Sequence, residues 1–192
     1  ISKLDVYVFE EVCKKLRYLL DKGFKVNNVS VNLSKITIEN IDFITRYHSI
    51  MRKYNIDGKY IEFEITENEL FDDLDTYIKI INDIHSIGAK VSMDDFGSGN
   101  TSLNILTKYN FDFIKLDKSF FKEKSFDENT KKSLKTIITL AHELGKQVVA
   151  EGVETEAIDK FLKSINCDII QGFYYSKPMS FDEYIKYIKK GR

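Results

Sequence analysis

Four carboxylates and one ammonium are the side chains best placed by type and spacing to do chemistry. Glu64, Asp94, Asp95 and Glu151 fall at or near the ends of short β-rich runs, with Glu67 and Glu154 one step behind. Asn32, Lys115 and Gln171 hold the same place in three further runs, and Lys115 is the only cation in the group. Two carboxylates about 5 Å apart repel by about 3 kcal/mol at an effective dielectric near 20. Gathered at one place, several such pairs either take up protons or are neutralised by a cation. All-oxygen donors, one amide from Asn32, and no Cys or His suit Mg²⁺ or Mn²⁺. The adjacent Asp94 and Asp95 can bridge two metals or orient one. Any one of these acids alone reads as a solvated loop carboxylate; the group, at six run ends, does not.

The other reactive types point elsewhere. His48, His85 and His142 lie in helical patterns away from the run ends, which gives no support to a His-based nucleophile triad. Cys13 and Cys167 sit among apolar neighbours and read as buried, inert thiols. The loop from Asp95 to Ser102 contains Gly97-Ser98-Gly99 but lacks a P-loop lysine and a dinucleotide fingerprint. Its backbone donors can shape a phosphate site, or the loop can move when ligand binds.

The runs that must position these groups are 29–33, 61–65, 90–94, 113–117, 147–151 and 169–173. Between them lie helical patterns, including 6–20, 77–87 and 134–144, with apolar residues three and four apart. Gly23, Gly58, Gly88, Gly145, Asn110 and Asn166 precede the strands as helix stops. The alternation predicts an α/β fold with a parallel sheet. A closed barrel gathers strand ends around one rim, whereas an open doubly wound sheet focuses them only at a switch point. The spread of polar residues over six ends favours the barrel, with two of the usual eight strands lying before Ile1. The basic, amphipathic tail 184–190 is expected to form a last helix covering the barrel.

The chain has 192 residues, 43% hydrophobic and 31% charged, which suits one globular domain. No apolar stretch is long enough for a membrane span. The 29 basic and 30 acidic side chains give a net charge of -1, so no global basic field draws in a nucleic acid polymer. The first residue is Ile1, and neither a signal nor a transit pattern follows, so the chain is expected to be a cytoplasmic piece of a longer protein.

Six motifs then occur in order: Ser30-Val31-Asn32-Leu33-Ser34; Glu64-Ile65-Thr66-Glu67; Asp94-Asp95-Phe96-Gly97-Ser98-Gly99; Ile114-Lys115-Leu116-Asp117-Lys118-Ser119-Phe120; Ala150-Glu151-Gly152-Val153-Glu154-Thr155; and Gln171-Gly172-Phe173-Tyr174-Tyr175. This sequence resembles the EAL-domain family of bacterial cyclic di-GMP phosphodiesterases over nearly its whole length. The resemblance implies a modified TIM-type (β/α)8 barrel, with six of eight strands in this chain. Residues 1–192 would form a single domain of this kind lacking its N-terminal strands. It implies hydrolysis of one phosphodiester of cyclic di-GMP to the linear dinucleotide, with water activated by two ions, Mg²⁺ or Mn²⁺.

By the same resemblance Asn32, Glu64, Asp94 and Asp95 are metal ligands. Glu151 stands at the metals and the attacking water, and Lys115 helps to hold that water. Glu67 steadies the loop of Gly97 and Gly99, and Glu154 and Gln171 line the site. A homodimer is implied, with membrane contact only through other domains. The motif that names the family, with a metal-binding glutamate and a substrate-binding arginine, is absent and would lie upstream of Ile1. Activity is therefore expected of the parent domain more than of this stretch. Asn100 also replaces the aromatic residue common after the glycines, which bears on loop mobility and dimer coupling. The alternative is a catalytically inactive cyclic di-GMP sensor or a protein-docking module. A third reading is a metal-dependent barrel enzyme acting on another phosphate ester.

Overall fold

A computed structural model describes residues 2–40, 42–67, 74–98, 103–122 and 126–190. Gly99 and Asn100 of the glycine loop, and residues 123–125 of a later polar loop, lie outside the described residues.

Six strands follow the six apolar runs: β1 Val29–Asn32, β2 Ile61–Thr66, β3 Lys90–Phe96, β4 Phe113–Leu116, β5 Gln147–Ala150 and β6 Ile169–Ile170. All neighbours are parallel. Their spatial order is their chain order, β1 to β6, with no reversal. A doubly wound sheet reverses at a switch point; a barrel wall does not. The result is a half-barrel of six parallel strands with helices on its outer face. Among the described residues β1 and β6 are its two edges.

Among the described residues eight α-helices accompany the strands: α1 Ser2–Asp21, α2 Lys35–Ile38, α3 Phe43–Lys53, α4 Leu74–Ser86, α5 Leu103–Lys108, α6 Glu128–Glu143, α7 Glu156–Ser164 and α8 Phe181–Lys189. In a strand, side chains alternate between faces. One face of β2 to β5 carries Phe63, Ile65, Val91, Met93, Ile114, Leu116, Val148 and Ala150, all buried in the core with residues of the helices. Phe9 of α1 shows why that core is firm. Its ring centroid lies 4.5 Å from Tyr47 of α3 and 5.6 Å from Phe63 of β2. Burying each such side chain is worth about 1.5–3 kcal/mol.

Gly23, Gly88, Gly145 and Asn166 take the left-handed conformation expected of helix stops. Two others do not. Asn55 performs that turn after α3, and Asn110 is not left-handed. Gly58 is required for a different reason: a Cβ there would stand 2.3 Å from the Ile87 carbonyl oxygen. The last helix forms, capped by Ser180 and Glu183. It docks beside α1, with the Tyr18 and Phe181 ring centroids 5.8 Å apart. No helix among the described residues is long and apolar enough to cross a membrane. Burial pushes the Cys13 thiol up to about 12 and the Cys167 thiol up to about 11, so neither is a ready thiolate.

Candidate active site

The strand face opposite the core carries the polar strand residues, together with buried Phe113 and Val149. Register aligns Ser30 with Glu62, Asn32 with Glu64, Glu64 with Ser92, and Thr66 with Asp94. Lys115 is in register with Val149, and β5 runs on into Glu151. Period two therefore turns Asn32, Glu64, Asp94, Lys115 and Glu151 to one side, near the C-terminal ends of five strands.

Lys115 is the hub. Its ammonium donates to Glu64 Oε1, lies 2.5 Å from Glu151 Oε1, and lies 3.6 Å from Asp94 Oδ1. Side-chain exposures are 6% for Lys115, 8% for Glu64, 13% for Asp94 and 22% for Glu151. Burial by itself pulls the ammonium down, but the Glu64 and Glu151 carboxylates outweigh it and hold Lys115 above its ordinary value. Burial pushes the Glu151 carboxyl up, and the Lys115 ammonium only partly opposes this. Gln171 Nε2 donates to the same Glu151 oxygen at 3.1 Å.

Asp94 and Asp95 are adjacent, and a regular strand would point them to opposite faces. The pairing of β3 with β4 slips between Met93 and Phe96, where three steps on β3 match two on β4. This bulge carries Asp95 into the left-handed region at φ 57°. The Asp95 amide then donates to Asp94 Oδ1 at 2.9 Å. Burial, followed by the charges of Asp94 and Asp117, pushes the Asp95 carboxyl up. The adjacent acids are thus placed by a backbone irregularity of the kind found beside active sites.

The loop beyond the bulge is anchored to the residue that follows β2. Glu67, 1% exposed, accepts from the Gly97 amide at 3.2 Å. Gly97 has φ 89°, and a Cβ there would collide with the Phe120 ring at 2.3 Å, so only glycine fits. A cavity of about 660 Å³ opens beside the cluster, and Asp95, Asp117, Lys118, Glu151, Glu154 and Gln171 are among the residues that line it. Glu154 is exposed there.

Some residues in or under this site were not singled out from the sequence. Glu62 is 3% exposed and in register below Glu64 on the polar face; its carboxylate accepts from Asn28 Nδ2, and burial pushes it up. The alternation Ile61-Glu62-Phe63-Glu64-Ile65 already carries that signal. Asp117 accepts from the Ser119 amide at 2.8 Å, capping a short 3-10 turn at the cavity. Its motif was legible, but not its place on the wall.

The donors are oxygens of carboxylates and one amide, which suits a hard divalent ion. Among the described residues, no three His, Cys, Asp or Glu side chains already form a metal cage. The Lys115 ammonium stands between the carboxylates and balances part of their charge.

The EAL domain family model matches residues 1–178. Signaling protein YkoW of Bacillus subtilis is 31% identical over 188 residues, covering 98% of this chain and 23% of its own length. The bifunctional diguanylate cyclase/cyclic di-GMP phosphodiesterase MucR of Pseudomonas aeruginosa is 30% identical over 179 residues, covering 93% and 26%. The chain thus spans about a quarter of the length of these relatives. Among solved structures, the PaMucR phosphodiesterase in complex with c-di-GMP superposes with TM-score 0.88 at 29% identity, covering 95% of this chain and 74% of that one. The EAL domain of Mycobacterium smegmatis DcpA gives TM-score 0.88 at 29% identity, covering 97% and 84%.

Proposed function

Starting from the fact that this chain belongs to the EAL domain family, we propose that it serves a metal-dependent phosphodiesterase hydrolysing cyclic di-GMP to the linear dinucleotide. The observation that carries this reading is the convergence of Glu64, Asp94 and Glu151, from three strands, on one ammonium beside a cavity. In this proposal Asn32, Glu64, Asp94, Asp95 and Glu151 hold Mg²⁺ or Mn²⁺, as two ions. When bound, these ions supply a nucleophilic water at neutral pH and neutralise the phosphate oxygens.

The chain's own groups do the rest. Lys115 keeps the carboxylates together and retains its proton, since two of them hold it. Gln171 fixes the orientation of Glu151 by donating to Oε1. Glu67 tethers the Gly97 amide and so sets the course of the loop beside the cavity. Glu154 and Gln171 bind substrate from the wall. The domain acts in the cytoplasm as a homodimer, and any membrane contact comes through other domains.

A second reading is a sensor that binds cyclic di-GMP without cutting it. The observation in its favour is that Lys115 already balances part of the acidic charge. The deciding experiment is product analysis from cyclic di-GMP with Mg²⁺, with Mn²⁺ and with chelator, using this chain and the longest natural protein that carries it. Metal-dependent linear dinucleotide from either supports the phosphodiesterase. Product only from the longer protein places an essential group outside Ile1–Arg192. Tight binding without product from both overturns hydrolysis in favour of the sensor.

A further inference from the structure

The segments that follow β5 and β6 are joined along their length. The Gln171 amide donates to the Ala150 carbonyl at 2.9 Å, the Val153 amide to the Gln171 carbonyl at 3.1 Å, and the Tyr174 amide to the Val153 carbonyl at 3.0 Å. The backbones approach so closely that a Cβ on Gly172 would meet the Val153 carbonyl oxygen at 2.1 Å.

This seam ends at a side-chain pair. The Tyr175 hydroxyl donates to Oδ1 of Asp159 on α7. Lys163 Nζ donates to Oδ2 of the same carboxylate at 2.8 Å and stands 5.7 Å from the Tyr175 ring centroid. Asp159 is 3% exposed. A carboxylate so buried needs its oxygens satisfied, and a hydroxyl and an ammonium satisfy them here. Tyr175 also lines the cavity shared with Glu151 and Gln171. One hydroxyl therefore ties the wall beyond β6 to the helix beyond β5, four residues from the amide that orients Glu151.

From this geometry we infer that Tyr175 and Asp159 are positioning residues, which together hold the Gln171 amide against Glu151; the inference rests on the phosphodiesterase reading above. Phe at 175 keeps the ring and its packing but loses the tie. Asn at 159 keeps an acceptor for the hydroxyl, whereas Leu does not.

The test uses Tyr175→Phe, Asp159→Asn and Asp159→Leu, with two readouts. The first is the ¹⁵N–¹H signal of the Gln171 side-chain amide, assigned by its loss in Gln171→Glu. The second is the kcat and KM of cyclic di-GMP hydrolysis in the longest natural protein that carries the chain. Tyr175→Phe and Asp159→Leu are expected to shift the Gln171 signal and lower kcat by roughly tenfold, the worth of one such hydrogen bond. KM should stay within about twofold, and Asp159→Asn within about threefold of wild type in kcat, by the same reasoning. An unmoved Gln171 signal in Tyr175→Phe overturns the inference. So does an Asp159→Asn protein as impaired as Asp159→Leu. Failure of the wild type to cut the dinucleotide would instead sink the phosphodiesterase reading, while the Gln171 signal would still decide whether the pair positions that amide.

Discussion

The two ends of the strands treat charge in opposite ways. At the N-terminal ends Asp112 and Asp168 each meet a histidine and a strand amide of their own. Asp112 Oδ2 lies 2.9 Å from His85 Nε2 and accepts from the Val91 amide at 2.9 Å. Asp168 Oδ2 lies 2.8 Å from His142 Nε2 and accepts from the Val148 amide at 2.8 Å. Between these pairs Lys146 Nζ donates to the Tyr109 and Phe111 carbonyls at 2.9 and 3.2 Å. At the C-terminal ends three carboxylates share one ammonium, and the backbone bulges to add Asp95. The first arrangement is closed and holds the wall together. The second carries surplus negative charge that only a further cation or protons can balance. In parallel β/α barrels the C-terminal rim carries the chemistry and the opposite rim carries stability.

The contrast can be broken most forcefully at its hub. Lys115→Met should lower hydrolysis by about 10²–10³-fold, as loss of a preorganised donor does. It also leaves Glu64 and Glu151 facing each other uncompensated, at a cost of about 3 kcal/mol. Mn²⁺ should then raise the thermal midpoint of the variant more than that of the wild type. A midpoint unchanged by the substitution would show that Lys115 does not hold the rim together.

Asp168→Ala should do the reverse at the other end. It strands the Val148 amide and costs about 1–3 kcal/mol of stability. Turnover per folded molecule should stay within about twofold, since Asp168 bonds to His142 and the Val148 amide and to none of the groups on the opposite rim. A large fall in kcat at unchanged stability would erase the distinction between the two ends.

Asp95→Gly gives the smallest and most pointed effect. Glycine relieves the left-handed strain at that position, so stability should rise by up to about 1 kcal/mol. Metal-dependent hydrolysis should fall all the same, because one of the proposed donor oxygens is lost. A variant that is both more stable and fully active would remove Asp95 from the site.

Much of this was legible before the structure, because strands and their ends are written in local pattern. The six apolar runs became the six strands, and their terminal acids converged because parallel strands in chain order share one rim. What escaped the sequence depends on contacts between distant residues. Nothing local shows that β3 bulges at Asp94 and Asp95, since the slip is defined only against β4. His85 and His142 fall in helices, as their pattern predicts, but their partners Asp112 and Asp168 lie 27 and 26 residues away. Gly58 looked like a helix stop and is instead the point where the chain passes the Ile87 carbonyl, a contact no periodicity encodes.

Whether the rim built on Lys115 and Glu151 cleaves a cyclic dinucleotide or merely holds it is decided by Glu151→Gln in the longest natural protein that carries this chain, with binding and product formation followed in parallel. Cyclic di-GMP should still bind while the linear dinucleotide no longer forms. Turnover of Glu151→Gln near the wild-type rate would rule out a role for Glu151 in cleavage.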